Sequence, residues 1–279
     1  MKKILATIDG LRYSSSTVEY ALSIVREESA HLVGVFLNDI TYRSYKLSEL
    51  VDEAKVSNER IRRFSEKDRK TRADGALRFE TACQQAKVNY SLHEDKDIAI
   101  DALIHESIFA DLVIIDSHES FNRIEKKSPS PFIQQLLTKA ACPMMLVPSV
   151  FRPINKVIIL YDGSPASVHA IRMLEYVLPS FKSLPIEVIT VKSPVGSLHV
   201  PDGKLMKEFM RRHYPHAAFT VLKGLAPTDI PERLREEKPG AMVVTGSHSR
   251  SRLSHWFYPG MADILLEELE IPLFVARYA

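Results

Sequence analysis

The same short pattern occurs twice along this chain of 279 residues, and that repetition limits the fold more than any single motif does. An apolar, β-rich run from Ile4 to Ile8 stops at Asp9-Gly10, and the run Val157 to Tyr161 stops at Asp162-Gly163, 153 residues further on (162 − 9). Leu112 to Ile115 leads into Asp116-Ser117-His118, and Met242 to Thr245 leads into Gly246-Ser247-His248, 130 residues on (246 − 116). Pro143 after Cys142 is matched by Pro272 after Ile271, 129 residues on (272 − 143). A period this long marks a duplicated domain. The drop in offset means that the second copy has lost about 23 residues from its middle.

Within the first copy, Ser14 to Glu28 has helical periodicity and Leu32 to Leu37 reads as a second strand. The charged stretch Leu47 to Lys87 reads as one long or broken amphipathic helix with a solvated face. A weak strand Asn89 to Leu92, a helix Ile98 to Ile108, the strand Leu112 to Ile115, a helix Phe132 to Ala141 and the strand Met144 to Val147 follow. In the second copy Lys204 to Arg212 replaces the long helix. Strands apolar on both faces, alternating with amphipathic helices, indicate a parallel sheet covered on both sides. The chain therefore reads as α/β, with two tandem doubly wound, Rossmann-like domains, 1–149 and 154–279, joined by a linker bearing Pro148 and Pro153.

Composition excludes several classes. Hydrophobic residues make up 45% of the chain, enough for a core in each half. Lys and Arg number 37 against 35 Asp and Glu, so the basic footprint of a nucleic-acid binder is missing. No run of about 18 apolar residues occurs, and Asp9 interrupts the signal-like start MKKILATIDG, so no membrane partner is expected. Two cysteines, Cys83 and Cys142, cannot form a disulfide framework and fit a reducing, cytoplasmic setting. There is no Walker loop, no GxGxxG, no GxSxG elbow and no HxxxH or HExxH spacing. Neither a catalytic residue nor a metal is expected.

The strand-ending Asp9 and Asp162 stand beside the segment MVVTGSHSRSRLSHWFYPG with its following helix and IPLFVA, and the parallel segment DLVIIDSH…CPMMLVP. On these the sequence resembles the universal stress protein family in its tandem-domain form, over nearly the whole chain. The resemblance implies HUP-type domains, each a five-stranded parallel sheet of order 3-2-1-4-5. It implies that the last strands of the two halves pair antiparallel, an intrachain pseudo-dimer, and it leaves open a further homodimer and an unidentified protein partner. One branch of that family holds ATP on a loop of pattern G-x-x-G, nine residues, then G-[S/T]. Its first-strand Asp and the end of its second strand hold ribose and adenine.

Such a loop works because unpaired N–H groups face the anion and glycines allow close approach. In the second half Gly246 stands at the first glycine, Ser249 at the second, Pro259 at the third and Gly260 at the Ser/Thr position. A side chain at a left-handed position costs about 1–2 kcal/mol, and Pro259 removes a donor. Arg250 and Arg252 offset part of the loss by pairing with phosphate oxygens. In the first half Asp116 and Glu119 replace the first two glycines and Ser128-Pro129-Ser130-Pro131 ends the loop, with only Ser130 matching.

The resemblance thus implies that ATP or a related adenine nucleotide, if held at all, is confined to the second half. There Asp162 would address ribose or adenine, the Val191 backbone adenine, and Gly246, Ser247, His248, Ser249 and Gly260 the phosphates. Structural readings stand beside these. Asp9 and Asp162 also read as helix caps, and His248 as a turn residue. His255-Trp256-Phe257-Tyr258 reads as packing over the sheet edge or as a partner surface. Arg211-Arg212-His213, His216 and the run Lys67 to Arg72 read as solvated helix faces. The expected role is a non-catalytic stress-response regulator or sensor. The alternative is an interaction module that has lost nucleotide binding; slow ATP hydrolysis has no evident base or metal ligand.

Overall fold

Alternating strand and helix signals become alternating elements in the computed structural model, which describes residues 1–37, 51–52, 55–56, 58–95, 98–121, 129–193, 199–237, 239–248, 252–253 and 264–278. The first half runs β1 (Lys3–Asp9), α1 (Ser15–Glu28), β2 (His31–Leu37), β3 (Val51–Asp52), β4 (Lys55–Val56), α2 (Asn58–Ala86), β5 (Tyr90–Asp95), α3 (Ala99–Ser107), β6 (Leu112–Asp116), α4 (Pro131–Lys139) and β7 (Met144–Val147). The second runs β8 (Lys156–Leu160), α5 (Pro165–Val177), a 3-10 turn Pro179–Ser183, β9 (Ile186–Lys192), α6 (Gly203–His213), β10 (Ala218–Lys223), α7 (Ala226–Arg235), β11 (Ala241–His248), β12 (Arg252–Leu253), a π-helical turn Ile264–Glu268 and β13 (Leu273–Tyr278).

The main sheet is ordered β10-β9-β8-β11-β13-β7-β6-β1-β2-β5. All pairings within each half of that path are parallel. The halves meet where β7 and β13 run antiparallel, with Leu146 opposite Leu273, Met145 opposite Phe274 and Met144 opposite Val275. Successive side chains of a strand point to opposite faces, so Ile4, Ala6 and Ile8 enter one core while Leu5 enters the other. Helices α1, α2, α5 and α6 cover the first face, and α3, α4 and α7 the second. Both cysteines are buried free thiols whose pKa burial pushes up to about 12, which leaves them unreactive.

Polar contacts reinforce the seam. Lys2 Nζ reaches Glu28 at 3.2 Å and the Val177 carbonyl at 2.8 Å, and the Ser180 N–H donates to Glu28 at 3.0 Å. Tyr20 packs edge-on against Phe151 with centroids 4.8 Å apart, and its hydroxyl accepts the Arg152 N–H at 3.2 Å.

Two elements differ from the sequence expectation. The stretch Leu47 to Lys87 is not helical throughout: β3 and β4 pair antiparallel, Val51 with Val56 and Asp52 with Lys55, and the helix begins at Asn58. Its helical part is largely solvated, as Lys67, Arg69 and Lys70 show. The second difference bears on the site. The strand expected to end before Gly246 continues through His248, because β13 and the short β12 supply partners on both sides.

Candidate functional site

In a doubly wound sheet the crevice forms at the C-terminal strand ends, beside the first strand of each half. Both halves build that place from a strand-end Asp and a helix cap. In the first, Asp9 Oδ1 accepts the Leu11 N–H at 2.7 Å and Ser14 caps α1 by accepting the Thr17 N–H at 3.3 Å. In the second, Asp162 Oδ1 accepts the Ser164 N–H at 2.9 Å and Ser164 caps α5 through the Ser167 N–H at 3.3 Å. The serines cap the helices, therefore, and each aspartate orders the turn leading to the cap.

The turns differ in length, and this decides what fits above the fourth strand. From Asp9 to the cap Ser14 is five residues, whereas from Asp162 to the cap Ser164 is two. The short turn drops α5 onto β11: a Cβ on Gly246 would stand 2.2 Å from the Ala166 carbonyl oxygen. In the first half the longer turn leaves room for Asp116 at the equivalent position, where its Oδ2 accepts the Ser14 hydroxyl at 3.0 Å. Asp116 Oδ1 accepts the His118 N–H at 2.9 Å. Burial alone would raise its pKa, but these hydrogen bonds and the His118 charge outweigh it and hold Asp116 below the ordinary carboxylate range.

Glu119, only 7% exposed, turns into the first-half crevice. Its Oε1 accepts the N–H groups of Ser120 at 3.0 Å and Phe121 at 3.1 Å, and its carbonyl accepts the Ser130 hydroxyl. Ser130 also caps α4 by accepting the Ile133 N–H at 3.2 Å. The Ser120 and Phe121 N–H groups, which could face an external anion, are thus engaged by a carboxyl group of the chain itself. Burial and then the charge of Asp9, with a smaller effect of Asp116, push the Glu119 pKa up to about 7, against the hydrogen bonds from Phe121 and Ser120.

The second-half crevice is built differently. Val244 is in register with Ile159, and Ser247 and Asp162 each lie three residues further along their chains. Ser247 is 3% exposed, and its hydroxyl has no hydrogen-bond partner among the described residues. Val191, next to the last residue of the neighbouring strand β9, has its side chain in the core. Gly163 has φ +84, and a Cβ there would stand 2.8 Å from Pro201 Cβ, so the segment before α6 lies over the β8–α5 turn. Burial, then the charges of Asp202 and Asp162, raise the pKa of the Tyr161 hydroxyl.

Among the sequence candidates, the structure brings together Asp162, Val191, Gly246 and Ser247 at adjacent strand ends. His248 is not in a loop: its backbone is in register with Tyr278 and Arg252. Ser249, Arg250, Gly260 and the aromatic run His255–Tyr258 lie outside the described residues. Of the runs read as solvated, Arg211 and Arg212 are exposed, but His213 is half-buried against Glu175. Glu119 turning inward has one sequence signal, an acidic residue at a loop glycine position two residues before Phe121. Pro201 over Gly163 has no local signal at all.

The full chain superposes on a universal stress protein from Archaeoglobus fulgidus DSM 4304 with a TM-score of 0.69 and 13% identity, covering 99% of this chain and 98% of that one. A functionally unknown protein from Pseudomonas aeruginosa PAO1 is similar over 99% of this chain and 92% of its own, with a TM-score of 0.59 and 14% identity. No protein-family model and no curated protein matches the sequence. At these identities the likeness establishes the fold, a tandem α/β architecture shared with a universal stress protein.

Proposed function

We propose that this chain is a non-catalytic, cytoplasmic regulator or sensor of the universal stress type, with adenine-nucleotide binding confined to its second half. One observation carries the reading: the two crevices are unequal. In the first, Glu119 already supplies a carboxylate to the backbone donors of Ser120 and Phe121. In the second, a buried Ser247 hydroxyl has no hydrogen-bond partner among the described residues, three residues beyond Val244, whose register partner Ile159 precedes Asp162 by the same interval. A buried hydroxyl left unpaired costs about 1–3 kcal/mol, which a bound ligand would recover. Asp162 suits ribose hydroxyls, which can donate to it, better than phosphates.

A second reading, an interaction module without nucleotide, is favoured by the strand extension. Gly246, Ser247 and His248 are paired with β13, and Ser247 and His248 also with β12, so their backbone donors go into sheet ladders. One experiment separates the two. Freshly purified protein is denatured, released nucleotide is identified by mass spectrometry, and stripped protein is titrated with ATP by calorimetry. The nucleotide reading requires one site per chain; two sites contradict the asymmetry, and no binding in either measurement leaves the interaction module.

A further inference from the structure

The two halves differ sharply in the helix after their second strand. Helix α2 has 29 residues, and its buried Phe79 lies against Tyr90 of the outer strand β5, with centroids 6.0 Å apart. Helix α6 has 11 residues and leaves part of the outer strand β10 uncovered. A cleft of about 490 Å³ opens there, lined by Val200, Gly203, Lys204, Lys207, Phe219 and Val221, with His199 completing it. That volume lies in the range of small-molecule sites, about 300–1,000 Å³.

Strand alternation explains the apolar floor. Phe219 and Val221 point to the α6 face, while Thr220 points to the other, where its hydroxyl donates to Glu187 at 2.6 Å. Helical spacing explains the wall. Met206 and Met210 anchor α6 in the core, which leaves Lys204 and Lys207, three residues apart, beside the cleft. Neither lysine has an ion-pair partner among the described residues; the nearby Glu208 pairs with Arg212 instead. No carboxylate lines the cleft among the described residues. Among the described residues β10 pairs only with β9, so the cleft lies at the outer edge of the sheet.

We propose that this cleft binds an amphipathic anion, its extended apolar body on Phe219 and Val221 and its carboxylate head paired with the Lys204 and Lys207 ammonium groups. The floor supplies burial of apolar surface, and the two ammonium groups supply charge-assisted hydrogen bonds. The lysine stems add apolar contact along the wall. The site is separate from the nucleotide reading and stands without it.

The test is calorimetric titration of the full chain with dodecanoate below its micelle concentration. Dodecyltrimethylammonium, inorganic phosphate and hexaglutamate serve as controls for charge, tail and peptide. Dodecanoate should saturate one site per chain and shift the amide resonances of Phe219 and Val221. Its Kd should weaken at least tenfold in the variant Lys204→Glu/Lys207→Glu, whose thermal midpoint stays at the wild-type value because both side chains are exposed. Four results overturn the proposal: no saturable dodecanoate binding; equal binding of the cationic detergent; phosphate or hexaglutamate matching dodecanoate; or unchanged dodecanoate affinity in the double variant.

Discussion

Gly246 packs so closely under Ala166 that a Cβ on it would stand 2.2 Å from the Ala166 carbonyl oxygen and 2.3 Å from its carbonyl carbon. Both obstructing atoms are backbone in the first turn of α5, which Ser164 and Pro165 hold in place. Gly246→Ala should therefore destabilise the fold by about 1–3 kcal/mol, the usual cost of overpacking. Thermal denaturation of the free protein measures it. A midpoint equal to wild type would mean that α5 does not rest on β11.

Gly34 stands in a similar relation to a side chain. Its Cβ would lie 2.6 Å from Phe79, whose ring is fully buried between Phe36 and Tyr90. Gly34→Ala alone should lower stability by about 1–3 kcal/mol. Combined with Phe79→Leu, the loss should fall short of the sum of the single losses by at least about 0.5 kcal/mol, the coupling expected of residues in contact. Strict additivity in urea denaturation would contradict the contact.

Glu119 takes up a proton more readily in the fold than in the unfolded chain. Its pKa moves from 4.5 to about 7, through burial first and then the charge of Asp9. Its contribution to stability is then fully present below pH 4.5 and is lost as pH rises through 7, with a slope of at most about 1.4 kcal/mol per pH unit. Glu119→Gln does not titrate. It should be more stable than wild type at pH 8, and the gap should close toward pH 5 in urea denaturation. A wild-type advantage at pH 8 would reverse the sign and refute the assignment.

Glu187 behaves in the opposite sense. It is buried on β9 and bound by Lys156 at 2.8 Å, Arg233 at 3.0 Å and the Thr220 hydroxyl at 2.6 Å. Burial alone would raise its pKa, but the hydrogen bonds from Lys156 and Thr220 and the charges of Lys156 and Arg233 lower it. The stability it contributes is present above pH 4.5 and lost as pH falls through its lowered value. Glu187→Gln should cost about 1–3 kcal/mol at pH 7, below the 3–5 kcal/mol of a fully buried pair because Lys156 and Arg233 keep Glu237 and some solvent. At strongly acid pH variant and wild type should converge.

Much of this architecture is legible in the residues. The runs ending at Asp9 and Asp162, and the apolar stretches Leu112 to Ile115 and Met242 to Thr245, become parallel strands because each is buried on both faces. The end of β11 is not legible, since its continuation through His248 depends on pairing with β13 and β12. Nor is the pairing of β3 with β4, whose charged setting reads as helix. At the site, Asp162 and Ser247 can be found from the repeat. Glu119 as an internal acceptor cannot, because a side chain turning inward depends on space left by the turn from Asp9 to Ser14. The Lys204–Lys207 cleft depends on the difference in helix length between the halves, which sequence offsets show as missing residues but not as an opening.

Ser247→Ala tests the unequal-crevice account most directly. The hydroxyl has no partner among the described residues, so its removal should leave stability unchanged or raise it by up to about 1–3 kcal/mol. ATP affinity, measured by calorimetry on stripped protein, should weaken about tenfold, while Glu119→Gln leaves it at the wild-type value. Wild-type ATP affinity in Ser247→Ala, or weakened affinity in Glu119→Gln alone, would place the ligand elsewhere and contradict the account.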